Sequence, residues 1–253
     1  MIMFVLSISA NCNIGKQRQN NEDMLLIGNQ QLRDDSLQTK ANLTEQNRYI
    51  LAVADGLGGH ESGEVASEMV TKSLSEHFLS IPKGLSNQSL QFDLCQWLQC
   101  IHEEVNTDSL DNNVVVSPKG TTLVSLVFYE NNVFWLNCGD SRLYRFRGGV
   151  LTQISKDHSL SNVTGDLNES NVIVNCIGAG SNQCYMDFTD MTDRVISGDT
   201  YLLCSDGLTD MCSDEEIERV LLENGNANRL VDMARANGGV DNISVIVVSV
   251  EKE

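Results

Sequence analysis

Four aspartates stand where apolar, strand-type segments of the chain end or begin. Asp55 and Asp206 each follow such a segment and precede a glycine, in YILAVADG and YLLCSDG. Asp140 closes the segment VFWLNCGDSR, and Asp241 comes just before the last apolar run, in GGVDNISV. Strand ends are rigid, and a glycine beside a carboxylate lets backbone and ligand approach closely. One Asp-Gly pair is usually an ordinary turn, but four such aspartates, with Glu22-Asp23 in a similar setting, indicate a shared site.

The chemistry of these side chains favours a hard divalent cation. Carboxylates without histidine or cysteine among them suit Mg²⁺ or Mn²⁺, and such sites often hold two ions about 3.5–4 Å apart. Two ions acidify and orient a water molecule and neutralise charge on a transferring phosphoryl group. Arg18, four residues before Glu22 in RQNNED, is the natural partner for phosphate oxygens because a guanidinium binds them in pairs. The residues alone therefore predict a metal-assisted phosphoester hydrolase.

The elements that must position these side chains are mostly strands. Apolar spacing predicts amphipathic helices over Ser62–Phe78 and Asn87–Asn106, and a polar stretch over residues 29–47 predicts an exposed hairpin loop. Strands outnumber helices and come mainly in consecutive pairs, which favours antiparallel sheets with helices outside, in three or four layers. Further strands are predicted at the N-terminus and over Tyr49–Ala54, Thr121–Tyr129, Asn132–Asn137, Arg142–Phe146, Thr200–Cys204 and Ile243–Val250, and further helices from the capping box at Ser213 and over Asn226–Ala236.

Composition narrows the class of protein. The chain has 253 residues, of which 41% are apolar, and we expect one compact domain. Its formal net charge of −18 argues against binding to nucleic acid or to an anionic membrane, because both are bound chiefly through Lys and Arg. The eight cysteines form no CxxC pair and the four histidines lack zinc-ligand spacing, so neither a zinc site nor a disulfide framework is expected. We expect a cytoplasmic monomer.

Seven motifs in a fixed order give the chain a resemblance to a known family. They are RQNNED (18–23), VADGLGGH (53–60), GTTL (120–123), GDSR (139–142), KDHSL (156–160), CSDGLTD (204–210) and GGVDNIS (238–244). This series resembles the metal-dependent type 2C (PPM) Ser/Thr protein phosphatases, and among them the bacterial stand-alone catalytic domains. The resemblance implies an α+β fold, a four-layer α/β/β/α sandwich in which two mainly antiparallel sheets are flanked by helices. It also implies that residues 1–253 form a single phosphatase domain.

The resemblance assigns roles to the acidic residues. It implies that Asp55 bridges two catalytic Mn²⁺ or Mg²⁺ ions, that the Gly56 carbonyl binds one of them, and that Glu22 reaches that ion through water. Asp206 and Asp241 would hold the other ion.

Further roles follow from the same likeness. Arg18 would bind the phosphate, Asp140 would join Asp206 at a third, weaker ion, and Asp23 would support the site from behind. The implied reaction is hydrolysis of phosphoserine and phosphothreonine by a metal-activated water, without a covalent phosphoenzyme. Phosphorylated proteins are then the implied substrates, and a cognate Ser/Thr kinase is an implied partner.

The sequence departs from the family pattern at two places. Leu57 stands where animal members have a histidine proposed as general acid. His60, three residues on, is expected to be structural or to support the metal ligands, and not to replace that acid. The flap, around residues 161–175, is shortened, which would leave the site more open.

Two alternatives stay open at this point. One is a catalytically inactive relative that works as a binding protein. Such proteins usually lack some of the metal-binding aspartates. The other is a phosphatase for a small phosphomonoester or for a phosphorylated anti-sigma antagonist.

Overall fold

A computed structural model describes residues 4–44, 47–58, 62–108, 110–111, 114–115, 118–165 and 172–252. The helices are α1 Ser62–Ser80, α2 Asn87–Asp108, α3 Leu160–Thr164, α4 Asp206–Thr209, α5 Asp214–Leu222 and α6 Ala227–Ala236. The strands are β1 Phe4–Asn13, β2 Met24–Ile27, β3 Gln30–Leu32, β4 Ser36–Leu43, β5 Arg48–Ala54, β6 Gly56–Leu57, β7 Leu110–Asp111, β8 Val114–Val115, β9 Gly120–Thr121, β10 Leu123–Tyr129, β11 Asn132–Cys138, β12 Arg142–Arg147, β13 Val150–Gln153, β14 Ile177–Gly178, β15 Asp187–Asp190, β16 Asp199–Cys204 and β17 Ile243–Lys252.

Two six-stranded sheets form the centre of the molecule. The first has the order β13-β12-β16-β17-β1-β4 and the second the order β15-β11-β10-β5-β2-β3, and the strand pairs within both are antiparallel. Along β1 every second side chain is buried, as period-two alternation requires. The inward faces of both sheets meet in one apolar core, which includes Leu6, Leu51, Leu126, Leu203 and Ile246.

Helices cover the outer face of each sheet. The second sheet packs against α1 and α2 through a cluster that includes Val70, Leu74, Leu94, Leu98 and Ile101. The first sheet packs against α5 and α6 through Ile217, Leu221, Leu230, Val231 and Ala234. The layers are therefore helix, sheet, sheet, helix, and the predicted four-layer α+β sandwich is confirmed. No helix within the described residues is both long and apolar enough to cross a lipid bilayer.

The predicted exposed loop over residues 29–47 is wrong. This segment contains β3 and β4, and β4 pairs with β1 over eight residues. Leu37 and Ala41 pack against the core, whereas Ser36, Gln38, Lys40 and Asn42 on the other face are exposed. The strand lies at a sheet edge, where only one face is covered, so its composition is polar although its alternation is strand-like.

The register of the sheets explains why the acidic residues meet. Pairing of Met24 with Ala54 places the start of β2, preceded by Glu22-Asp23, beside the end of β5, which is followed by Asp55. Pairing of Cys204 with Val245 places the end of β16 beside the start of β17. Pairing of Cys204 with Arg142 brings in the start of β12. The segments that carry Asp55, Asp206, Asp140 and Asp241 thus converge at one end of the two sheets.

Candidate metal centre

Asp55 is held by the GTTL motif. Its backbone N–H donates to Thr122 Oγ1 at 3.0 Å, and its carbonyl accepts from the Thr122 N–H at 2.8 Å and from Thr121 Oγ1 at 2.9 Å. The Thr122 hydroxyl also bonds the Ser141 hydroxyl at 2.7 Å, which ties in the loop that carries Asp140. The backbone of Asp55 is therefore fixed by hydrogen bonds, and its carboxyl group is left for a ligand.

The carboxyl groups of Asp55, Asp140 and Asp206 crowd one another. Those of Asp55 and Asp206 are close enough to share a hydrogen bond. Burial and the charges of neighbouring carboxylates raise the pKa of Asp55 well above its usual range. Burial and nearby acidic side chains raise the pKa of Asp140 to about 7 and that of Asp206 to about 6. Such crowding favours a positive charge among these groups, because buried like charges repel strongly.

Asp241 faces Arg18 across the site. Its Oδ2 accepts from Arg18 Nη2 at 2.5 Å, and its Oδ1 accepts from the N–H of Asn242 at 2.8 Å. Partial burial works against the charged guanidinium, but the carboxylates of Asp241, Glu22 and Asp55 outweigh it and raise the pKa of Arg18. Arg18 thus lies within electrostatic reach of three predicted ligands, and its side chain is 47% exposed to solvent.

Glu22 and Asp23 enter the site from the start of β2. The Glu22 N–H donates to Asn242 Oδ1 at 2.9 Å, and its carbonyl accepts from Ser67 of α1 at 2.6 Å. Asp23 is fully buried, and its Oδ2 accepts from Ser205 Oγ at 2.9 Å. Burial, together with nearby acidic charges, raises the pKa of Asp23 to about 7. Its Oδ1 is buried without a hydrogen-bond partner among the described residues, so one oxygen remains for an ion or its water.

Glycines let these segments approach one another. A Cβ on Gly207 would lie 1.9 Å from the Asn242 carbonyl oxygen, and one on Gly56 would lie 2.5 Å from the Glu22 carbonyl oxygen. Both distances are below any tolerated contact, so only glycine fits at either position. The two Asp-Gly pairs identified in the sequence are therefore places where backbone meets backbone.

His158 of the KDHSL motif is a positioning residue whose role the sequence did not reveal. Its Nδ1 accepts from the Gly139 N–H at 3.1 Å and from Asn175 Nδ2 at 2.7 Å, and its Nε2 faces Asp187 Oδ2 at 3.2 Å. The backbone N–H of His158 donates to the Gly139 carbonyl at 2.9 Å. These bonds fix the loop that carries Asp140. The only signal in the sequence was the KDHSL motif itself, which begins 14 residues after the end of GDSR.

The donor set fits hard divalent cations better than zinc. Oxygen atoms surround the site, and the sulfur atoms of Cys12 and Cys204 are buried within the sheets, where burial raises both thiol pKa values to about 12. In the described part of the chain, however, no three His, Cys, Asp or Glu side chains form a ready-made ligand group. Ions held here would therefore need backbone carbonyls and water as further ligands, as Mg²⁺ commonly does.

The structure brings six of the predicted site residues to one end of the sheets. They are Arg18, Glu22, Asp55, Asp140, Asp206 and Asp241, with Gly56 next to them in β6. Their roles as ligands stay predictions. His60 lies outside the described residues, as do positions 166–171 of the shortened flap.

Comparison with known proteins shows that the chain is similar to protein phosphatases over most of its length. The family model described as Protein phosphatase 2C matches residues 26–237. The serine/threonine phosphatase stp of Listeria monocytogenes is 32% identical over 222 residues, which cover 81% of this chain and 85% of that protein. The protein phosphatase PhpP of Streptococcus pneumoniae is 29% identical over 263 residues, covering 98% of this chain and 99% of that one.

Solved structures show the same likeness. The serine/threonine phosphatase of S. agalactiae superposes with a TM-score of 0.81 at 25% identity, covering 97% of this chain and 100% of that chain. The catalytic domain of the serine/threonine protein phosphatase PstP, solved in complex with two manganese ions, has a TM-score of 0.72 at 31% identity. That match covers 98% of this chain and 99% of the PstP domain.

Proposed function

Because the chain belongs to the protein phosphatase 2C family, we propose that its carboxylate cluster is the centre at which phosphoserine and phosphothreonine are hydrolysed. The protein is a metal-dependent serine/threonine phosphatase, a phosphoric monoester hydrolase that uses Mn²⁺ or Mg²⁺. The observation that carries the proposal is the convergence of Asp55, Asp140, Asp206 and Asp241 with Arg18 at one end of the sheets.

The proposed ligand assignment is the one that the resemblance to the family implies. Asp55 lies close to Asp23, Asp140, Asp206 and Asp241, whose charges act on its carboxyl group, and it would bridge two cations. The Gly56 carbonyl and Glu22, through water, would complete one ion, and Asp206 with Asp241 would hold the other. When bound, the two cations supply an activated water as nucleophile and neutralise charge on the phosphoryl group.

Asp140 would join Asp206 at a third, weaker cation. The two carboxylates lie close enough for the charge of Asp206 to raise the pKa of Asp140, and this supports the assignment. Asp157 also raises the Asp140 pKa, and its charge is offset by Arg142, whose Nη2 donates to it at 2.8 Å. Arg142 is therefore paired with Asp157 and only partly offsets the raised pKa of Asp140.

Arg18 would orient the phosphoryl group. Its guanidinium is half exposed, and Nη2 is anchored by Asp241. Among the described residues, its other N–H groups make no hydrogen bond and are left for a ligand. A planar guanidinium binds two phosphate oxygens in a fixed geometry, which sets the phosphorus in line with the nucleophile. Leu57 provides no acid for the leaving alkoxide, so water would supply that proton.

The shortened flap and the partners are also part of the proposal. We infer that residues 1–253 act as one phosphatase domain in which the flap, around 161–175, leaves the site open to phosphoprotein segments. The protein would work as a cytoplasmic monomer in signalling, with a cognate Ser/Thr kinase as its counterpart. Grafting a full-length flap should change phosphopeptide preference while the rate with a small aryl phosphate stays similar; identical preferences would count against this role.

One assay tests the function and separates it from the alternatives. With Mn²⁺ the protein should release phosphate from a phosphothreonine peptide, and Asp206→Asn should lower kcat/KM by at least about 100-fold. Asp232→Asn, an exposed position on α6, is the matched control and should keep full activity. Bound Mn²⁺ without turnover would favour an inactive binding protein. A strong preference for small phosphomonoesters over phosphopeptides would favour a metabolite phosphatase.

A further inference from the structure

A cleft lies near the carboxylate cluster, and none of the cluster's residues line it. It has a volume of about 220 Å³ and runs between α3 and the start of β15. Three apolar side chains line it while facing solvent: Val163 is 72% exposed, Val174 44% and Tyr185 53%. Exposed apolar side chains gathered around a concave surface are typical of a ligand site, whereas single ones are common anywhere on a protein surface.

The walls of the cleft are held by hydrogen bonds. On one side the Leu160 N–H donates to the Val172 carbonyl at 2.7 Å, and the Val174 N–H donates to the His158 carbonyl at 2.8 Å. On the other side the Tyr185 ring packs on the His158 imidazole with ring centroids 4.6 Å apart. Asn175 bonds both the N–H and the carbonyl of Tyr185, at 3.0 and 2.8 Å. The apolar side chains are therefore presented on a fixed frame.

The cleft lies next to the loop that carries Asp140 of the proposed metal centre. Its floor, His158, accepts a hydrogen bond from the N–H of Gly139, the residue before Asp140. Another lining residue, Asp157, lies near enough to influence the Asp140 carboxyl. An extended peptide advances about 3.3–3.6 Å per residue, so a segment whose phosphoresidue lies at the cluster reaches the cleft within a few residues.

The charged groups of the cleft are largely occupied by partners. Asp157 accepts two hydrogen bonds from Arg142 Nε and one from Arg142 Nη2, and Asp187 faces His158 Nε2 at 3.2 Å. Apart from the exposed Lys156 at the rim, recognition in the cleft is therefore left mainly to Val163, Val174 and Tyr185.

We propose that this cleft binds a large aliphatic or aromatic side chain of the phosphoprotein substrate, a few residues from the phosphorylated serine or threonine. The proposal rests on the phosphatase function above and adds a substrate class to it: segments with an apolar residue near the phosphoresidue. Burying such a side chain against the valines and the tyrosine ring stabilises the complex through the apolar area removed from water.

Phosphothreonine peptides that differ at one position test this subsite. Each position from three residues before to three after the phosphothreonine carries Leu, Ala or Glu in turn, and kcat/KM is measured with Mn²⁺ present. We expect one position at which Leu exceeds Ala by about tenfold, mainly through KM, since a few methylene groups in an apolar pocket discriminate by about that factor. Val163→Asp and, separately, Tyr185→Ser should bring that ratio close to one. Leu222→Asp, at an exposed apolar position on α5, is the matched control and should keep the ratio.

Each other outcome has a defined meaning. A Leu to Ala ratio near one at every position in the unmodified protein would overturn the proposal, and so would an unchanged ratio in both cleft variants. Preference for Glu over Leu would also overturn it, because the exposed Lys156 at the rim would then dominate. These results leave the phosphatase function intact, whereas absence of Mn²⁺-dependent hydrolysis of every peptide would refute that function itself.

Discussion

Gly207 is the position where a single added carbon should disrupt the metal centre most. A Cβ there would lie 1.9 Å from the carbonyl oxygen of Asn242, whereas real contacts of this kind are longer than 3.0 Å. Gly207→Ala must therefore move the segment after Asp206 away from the one that carries Asp241 by roughly 1 Å. A shift of that size can cost about 100-fold in rate, and overpacking of this kind typically costs about 1–3 kcal/mol of stability.

The assay pairs activity with metal binding. We expect Gly207→Ala to lower kcat/KM for a phosphothreonine peptide by about 100-fold and to weaken Mn²⁺ binding in calorimetry, while circular dichroism still shows the folded protein. Gly84→Ala is the control, because Gly84 has no atom within 4 Å of the added Cβ, and only its backbone, at φ +72°, disfavours a side chain. It should lose about 1 kcal/mol of stability and keep its activity. A Gly207→Ala protein within about threefold of normal activity would refute the argument from close packing.

Three further predictions concern residues around the centre. His158→Ala removes the acceptor of the Gly139 N–H, so the Mn²⁺ concentration for half-maximal activity should rise by about tenfold; an unchanged midpoint would contradict the positioning role. Arg18→Ala should lower kcat/KM for phosphopeptides by about 100-fold without changing Mn²⁺ binding stoichiometry, and a loss below threefold would exclude a phosphate role. Asp199 is fully buried against Arg147, at 2.6 and 2.7 Å, and although burial opposes the charge, Arg147 and the other donors lower its pKa. Asp199→Asn should therefore cost about 3 kcal/mol at neutral pH in urea unfolding. Because the folded pKa of Asp199 is depressed, the stability it contributes is present above the ordinary carboxyl range and is lost as the pH falls through the folded pKa. The difference in free energy of unfolding between the unmodified protein and Asp199→Asn should therefore shrink below about pH 4. A difference that does not change with pH would contradict this role of Asp199.

Much of the fold was predictable because its signals are local. The helix from Ser62 was predicted to end at Phe78 and ends at Ser80, and the capping box at Ser213 and Glu216 is confirmed by both of its hydrogen bonds. The buried strands were found through their continuous apolar runs. The sequence failed at β4, where Leu37, Thr39, Ala41 and Leu43 alternate with polar residues. The strand has the period of two, but because only one of its faces is covered, it contains few apolar residues and its composition is that of a loop.

The site was predictable in its acidic residues and not in the groups that hold them. Asp55 and Asp206 were marked by their glycines, and both glycines are sterically required where they stand. Thr122, Ser205 and His158 act through hydrogen bonds that join segments distant in sequence, and no spacing in a single sequence reveals such contacts. The apolar cleft was also beyond prediction, since its valines and tyrosine are brought together only by the packing of α3 and β15.

The most direct test of the central claim is the number of Mn²⁺ ions that the protein binds, measured by isothermal titration calorimetry at neutral pH. The assignment predicts two tight sites in the unmodified protein, with or without a third weak one. Asp206→Asn should lose one tight site, and Asp55→Asn should lose both, because Asp55 is the ligand proposed to be shared. If Asp55→Asn, shown to be folded, still binds two Mn²⁺ ions with unchanged affinity, Asp55 does not bridge the metals and the account of this centre is wrong.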